Sequence, residues 1–386
     1  MKIYLQRKEE ERILAGHPWI FSNEVLKFEG NIVSGNICDV YTYDSKYVGR
    51  GFLNTNSKII VRILTLNDEE INEEFFYKRL NEANQMRLSC GLDKCYRVCY
   101  SEADFMPGLI VDKYSDTLVL QVLSLGMEKH KDWIINSLIK IFNPKCIYER
   151  SDVSVREKEG LPQFKGVLYG TFTPIVETEE NGIKMLVDIE NGQKTGYFLD
   201  QKMNRRALVD YVKNKNVLDC FSHTGGFLLH ALKYDASFVT AVDISEKACE
   251  DIDKNAKLNG FTNYQVVCAD VFDFLRNPEN ADKYDCIILD PPAFTKSKDT
   301  VKKAYKGYKE INLQALNIIK KGGILFTFSC SMNMTKELFL EMIKEASHDS
   351  KRVVRLLDFR FQSIDHPMLL TTEETVYLKC AVLYVE

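Results

Sequence analysis

Val217-Leu218-Asp219-Cys220-Phe221-Ser222-His223-Thr224-Gly225-Gly226-Phe227 joins an apolar β-run to a short polar loop and a glycine pair that opens a helix. Gly225 and Gly226 let the backbone approach a ligand closely at a helix start. The segment has neither the G-x-G-x-x-G of a dinucleotide loop nor a P-loop lysine, so alone it fixes no ligand. The chain that follows repeats its pattern. Phe238-Val239-Thr240-Ala241-Val242-Asp243 places a second aspartate 24 residues after Asp219. Tyr264-Gln265-Val266-Val267-Cys268 leads into Ala269-Asp270-Val271, and Cys286-Ile287-Ile288-Leu289 into Asp290. Helix-length segments fall between these runs, from Gly226 and from Glu246 to Asn259. Such alternation predicts an α/β fold with a mostly parallel, doubly wound sheet. Ligands of such sheets sit beyond the carboxyl ends of the strands. One aspartate there is explained as a helix cap; a series of four is not.

The series reads as a nucleoside site. Asp243 is placed to accept both ribose hydroxyls, and the Asp270 segment to bond an adenine amino group. A strand ending in Asp290-Pro291-Pro292-Ala293-Phe294 suits the presentation of a planar substrate to a methyl donor. Forty residues on, Phe326-Thr327-Phe328-Ser329 delivers Cys330 into a polar turn. Carbon 5 of a pyrimidine is a poor nucleophile until a thiolate adds at carbon 6, so a cysteine here is a candidate nucleophile. Its other reading is a small buried residue at a strand end. Asp290 would bond the edge of such a pyrimidine and assist protonation there, with Pro291 and Pro292 fixing the turn and Phe294 near the base.

A chain of 386 residues predicts two or three packed units. Short β-like runs (Lys2–Leu5, Ile37–Tyr41, Tyr47–Leu53, Ile59–Leu64) make a β-rich module over 1–70. Asn67-Asp68-Glu69-Glu70 is a polar hinge. Beyond it a helix over 75–92, with Phe76, Leu80, Ala83 and Leu88 on one face, opens an α+β middle domain over 71–180. The catalytic domain spans 181–386. With 45% hydrophobic and 27% charged residues, and no apolar stretch of about 18 residues or secretory leader, a cytoplasmic protein without a membrane span is expected. The 11 cysteines, most of them inside apolar runs (Cys38, Cys146, Cys220, Cys268, Cys286), lack metal-ligand spacing and read as reduced thiols; no metal is expected. A net charge of −4 gives no global nucleic-acid signature. Local basic clusters remain: Lys296, Lys298, Lys302, Lys303, Lys306 and Lys309 after the Asp-Pro-Pro turn, and Lys202, Arg205 and Arg206. Each reads as a solvated helix face or as an RNA contact.

Residues 190–386 resemble class I S-adenosylmethionine-dependent methyltransferases, with Phe221 and His223 where the commoner D-x-G-x-G-x-G loop has glycines. The whole chain resembles the RlmI-type ribosomal RNA large-subunit (cytosine-5) methyltransferases. The matching segments are Gly16-His17-Pro18-Trp19-Ile20-Phe21, Glu102 to Asp112, Gly192-Gln193-Lys194-Thr195-Gly196-Tyr197-Phe198-Leu199-Asp200-Gln201, Asp290 to Phe294 and Ser329-Cys330-Ser331. The resemblance implies an N-terminal PUA RNA-binding domain, the middle domain and a Rossmann-like catalytic domain. It implies S-adenosyl-L-methionine as cofactor, large-subunit ribosomal RNA as partner, and allows a homodimer. The cofactor would be held by Asp219, Phe221, Ser222, Thr224, Gly225, Gly226, Asp243, Ile244, Asp270 and Val271, with Phe198 and Gln201 packing over it. Cys330 and Asp290 would be catalytic; Pro291, Pro292, Phe294, Lys296 and Arg205 would face the substrate. Many RNA cytosine-5 methyltransferases carry a second cysteine directly after Asp-Pro-Pro; Ala293 stands here, which implies a single-cysteine route. A ribosomal RNA guanine-nitrogen methyltransferase of the same architecture and a non-catalytic RNA-binding assembly factor are the competing readings. A small-molecule methyltransferase would not need residues 1–70.

Overall fold

The β-like runs between residues 2 and 65 assemble into a six-stranded sheet in the order Trp19–Phe21, Ile59–Thr65, Tyr47–Leu53, Ile37–Tyr41, Lys2–Leu5, Val25–Glu29. The computed structural model describes residues 1–295 and 298–386. Every pairing in this sheet is antiparallel except that of Lys2–Leu5 with Ile37–Tyr41. Alternate residues, among them Ile3, Leu5, Val40 and Val61, close its core. A Cβ at Gly51 would lie 2.1 Å from the Arg62 carbonyl oxygen, so only glycine permits that strand contact.

A five-stranded sheet follows, ordered Phe164–Gly170, Cys146–Ser151, Thr117–Val122, Leu109–Tyr114, Cys95–Tyr100. The helix predicted over 75–92 runs from Glu73 to Ser89 and is capped by Asn72, whose side chain accepts from the Phe75 amide. Phe75, Phe76, Leu80 and Ala83 are buried along it, but Leu88 is exposed: the inward face is completed by Asn84 and Arg87. Arg87 is fully buried because Asp104 accepts from both of its terminal nitrogens. Both sheets belong to one compact unit, Met1–Thr178 with Val187–Leu199 and Ile364–Thr375.

The second unit comprises Glu179–Leu186, Asp200–Ser363 and Val376–Glu386. Its strands are β1 (Asn216–Cys220), β2 (Phe238–Asp243), β3 (Tyr264–Cys268), β4 (Tyr284–Leu289), β5 (Ile319–Ser329), β6 (Val354–Arg360) and β7 (Lys379–Val385). Helices α1 (Gly226–Lys233), α2 (Glu246–Leu258), α3 (Val271–Arg276), α4 (Val301–Ile318) and α5 (Lys336–Ser350) alternate with them. The sheet order is β3-β2-β1-β4-β5-β7-β6. β1 to β5 run parallel and β7 enters antiparallel between β5 and β6, which is the expected mostly parallel doubly wound sheet. Strand residues alternate between faces. Leu218, Cys220, Ile287, Leu289 and Leu325 pack with α3, α4 and α5, while Phe328 meets Phe227 of α1, ring centroids 5.3 Å apart. The order reverses between β1 and β4, the switch point where open sheets hold ligands.

Candidate active site at the carboxyl ends of the parallel strands

Register brings the ends of β1, β4 and β5 level: Cys220 pairs with Leu289, and Leu289 with Thr327. The loop after β1 is bound to its neighbours through Ser222, whose Oγ donates to the Asp219 carbonyl at 2.6 Å and accepts from the Val242 amide at 3.2 Å. Phe221 (φ 61°) and His223 (φ 53°) both adopt the left-handed conformation, as does Gly225 (φ 85°). The two positions where glycine is usual therefore keep a glycine's backbone while carrying side chains, at a cost of about 1–2 kcal/mol each. Asp243 holds that strained turn in place. One carboxylate oxygen accepts from the His223 amide at 2.9 Å and the other from Ser245 at 3.0 Å.

Asp219 lies inside β1 and not at its end, and it is fully buried. Its Oδ2 accepts from the Leu228 amide at 3.1 Å; among the described residues Oδ1 has no partner, nor has the buried Oγ1 of Thr224. Burial pushes the Asp219 carboxyl up to about 8, helped by the charges of Asp290 and Asp243. Asp270 caps α3, accepting from Phe272 at 2.7 Å and Asp273 at 3.3 Å, and Val271 behind it is buried in the core. Ile244 is 69% exposed, an apolar shelf beside Asp243. This set fits S-adenosylmethionine. Unpartnered buried oxygens, an exposed apolar shelf and three neighbouring carboxylates suit a nucleoside that carries a cationic sulfur.

The other half of the site is formed by the turns after β4 and β5. Ser331 Oγ donates to the Thr295 carbonyl at 3.1 Å, which ties the two turns together. Asp290 accepts from Gln201 Nε2 at 2.8 Å, and Gln201 is oriented in turn by Asn204, whose amide donates to its Oε1 at 2.8 Å. Gln201, expected over the cofactor, thus sets the Asp290 carboxylate. Cys330 is half-buried just past β5. The Tyr308 hydroxyl, buried on α4, lies within the fields of both Cys330 and Asp290; burial first, then these charges, pushes it up to about 12. Phe294 is packed on Tyr308 (centroids 4.6 Å) and Phe272 (6.2 Å), with Pro291 buried and Pro292 exposed before it.

Lys379 was not visible as a site residue in the sequence. It opens β7 opposite Ser329, is 4% exposed, and its charge acts on Cys330. A lysine inside the apolar run Val376-Tyr377-Leu378-Lys379-Cys380-Ala381-Val382 is the signal that could have found it, because lysine is rarely buried without a task.

Arg205, Phe198 and Lys296 complete the expected contacts. Arg205 is 2% exposed and bound by both oxygens of Glu180, at 2.6 and 2.9 Å, so its guanidinium is not offered to a substrate. Phe198 belongs to the first unit, where Lys194 Nζ lies 4.6 Å from its ring centroid. Lys296 lies outside the described residues. Of the other clustered cations, Lys302, Lys303, Lys306 and Arg206 are exposed, Lys202 is buried, and Lys309 is paired with Glu345 and Asp349 at 2.9 Å each. Cys268, expected in the core, is exposed. Among the described residues no group of three or more His, Cys, Asp or Glu side chains could hold a metal ion, and no helix is long and apolar enough to cross a membrane.

Sheet order, loop and acidic set define a class I S-adenosylmethionine-dependent methyltransferase. Residues 167–366 match the S-adenosylmethionine-dependent methyltransferase family model and residues 3–66 the PUA-like domain model. An S-adenosylmethionine-dependent methyltransferase structure from Streptococcus mutans shares the fold over 100% of both chains, with a TM-score of 0.82 at 23% identity. The ribosomal RNA large subunit methyltransferase I of Aeromonas hydrophila is 43% identical over 99% of this chain and 98% of its own length. That of Vibrio vulnificus strain YJ016 is 42% identical over 99% of each. The chain belongs to the ribosomal RNA large subunit methyltransferase I family.

Proposed function

We propose that this protein methylates carbon 5 of a cytosine in large-subunit ribosomal RNA through a covalent adduct on Cys330. The RNA class rests on the relatives' shared name and the PUA-like domain. The chemistry is supported by one observation: Ser331 Oγ ties the turn that carries Cys330 to the turn that follows Asp290, beside the β1 loop.

S-adenosylmethionine supplies an electrophilic methyl group on a sulfonium. The Cys330 thiolate adds to carbon 6 of the ring, forming the S–C6 bond and opening the C5–C6 double bond. Asp290, oriented by Gln201, bonds the ring nitrogen edge and places a proton there as charge develops. Carbon 5 is then an enamine carbon and takes the methyl group. Loss of the carbon 5 proton and return of the ring-nitrogen proton to Asp290 restore the ring's double bonds and send the S–C6 electron pair back to sulfur. The base has to leave its stack to reach the turns.

On the cofactor side, Asp243→Ala should weaken S-adenosylmethionine binding about tenfold to hundredfold, the worth of a hydrogen bond to a charged group. Unchanged affinity by calorimetry would remove Asp243 from the site. Nucleoside mass spectrometry of ribosomal RNA from cells with and without the gene tests the whole reading. Loss of one 5-methylcytidine is expected; loss of a methylguanosine, or no change, would overturn it.

A further inference from the structure

We propose that Lys379 is the positioning residue that holds Cys330 as a thiolate, ready to add to the ring. The inference rests on Cys330 being the nucleophile.

Lys379 and Ser329 are register partners across β7 and β5, one residue short of Cys330. From there Nζ donates to the carbonyl of Ser331, one residue beyond Cys330, at 2.5 Å, and to its neighbour Tyr377 at 2.8 Å. The lysine therefore braces both flanks of the cysteine. Two of its three protons go to neutral carbonyls, and among the described residues no carboxylate lies within ion-pair distance of it. A buried ammonium without an anion is costly, and the nearby group able to become one is the thiol.

The other titratable groups facing this corner do not take that role. Tyr308 on α4 stays neutral well above pH 7, and burial keeps the Cys380 thiol of β7 protonated. Asp290 at the end of β4 is engaged by Gln201, and the Tyr377 hydroxyl donates to Asp200 at 2.5 Å. Burial lowers Lys379 to about 8, with the Cys330 charge working in the opposite direction. At neutral pH the lysine thus keeps its proton, and the Cys330 thiolate is the anion that this ammonium would stabilise. The same ammonium receives the thiolate when the C6–S bond breaks at product release.

The test follows alkylation of Cys330 by iodoacetamide against pH in the full chain, read as modification of the Cys330 peptide by mass spectrometry. No RNA is needed. The wild-type midpoint should lie at least one unit below that of Lys379→Met and of Lys379→Gln, which retains a donor for the carbonyls. One unit makes the neutral variants about tenfold slower at pH 7. Lys379→Arg should keep the wild-type profile. Equal midpoints in wild type and both neutral variants would overturn the proposal. Should those variants fail to fold by circular dichroism, the wild-type profile decides: a midpoint at or above the ordinary thiol value of about 8.5 overturns it. If Cys330→Ser still methylates RNA, the covalent route falls, while the alkylation profile judges Lys379 separately.

Discussion

Cys330→Ser should abolish RNA methylation, by about three orders of magnitude or more, while S-adenosylmethionine affinity stays within about twofold. A serine hydroxyl is close in shape to the thiol but is not ionised at neutral pH, so addition to carbon 6 has no nucleophile. The cofactor side does not depend on the change: the β1 loop is held by Ser222 and Asp243, and neither hydrogen-bonds to Cys330. Methyl transfer from labelled cofactor to ribosomal RNA measures the first quantity and calorimetry the second. RNA carrying 5-fluorocytidine adds a direct readout. Fluorine replaces the proton that must leave carbon 5, so the wild type should stall as a covalent complex stable to denaturation and the serine variant should form none. Methylation at the wild-type rate would end the covalent mechanism and return Cys330 to the buried residue at a strand end that its sequence also allowed.

The parts of this site that follow strand periodicity were legible in the sequence, and the parts that depend on partners distant in the chain were not. Apolar runs alternating with helix-length segments imply a parallel sheet, and a parallel sheet implies a site at strand ends. That logic expected Asp243, Asp270 and Asp290 at strand ends, and they lie at or just beyond the ends of β2, β3 and β4. It misplaced Asp219 by treating it as the end of β1, when the strand continues through Cys220 and buries the carboxylate. Phe221 and His223 looked like a departure from a glycine loop. The backbone shows the loop retained, because Asp243 binds the turn that those side chains disfavour. Lys379, and the link from Gln201 to Asp290, were beyond reach for another reason. The tasks of Gln201 and Lys379 are defined by Asp290 and Cys330, 89 and 49 positions away, and nothing local marks such a pairing. Leu88 failed more simply: a helical period admits a polar residue on the inward face when it brings its own partner, as Arg87 does with Asp104.

Arg205→Ala should destabilise the catalytic unit by about 3–5 kcal/mol, the cost of leaving a buried charge unpaired. Glu180 is fully buried and gives both oxygens to the guanidinium. A further cationic candidate is His230, 3.7 Å from Glu180. Burial and then the Arg205 charge hold its imidazole well below the usual range, so it is neutral in the wild type. Removing the arginine takes away one cause of that depression and adds the pull of a carboxylate that has lost its guanidinium. His230 can then bind a proton as pH falls through the ordinary histidine range, so the destabilisation should be smaller at pH 5.5 than at pH 8. Arg205→Met with Glu180→Gln removes both charges and should recover most of the loss at either pH, because a neutral buried pair has no unpaired ion to solvate. Urea unfolding of the three proteins at the two pH values provides the comparison. A loss under about 1 kcal/mol would mean that the pair behaves as a solvated surface bridge, and that Arg205 is available to RNA after all.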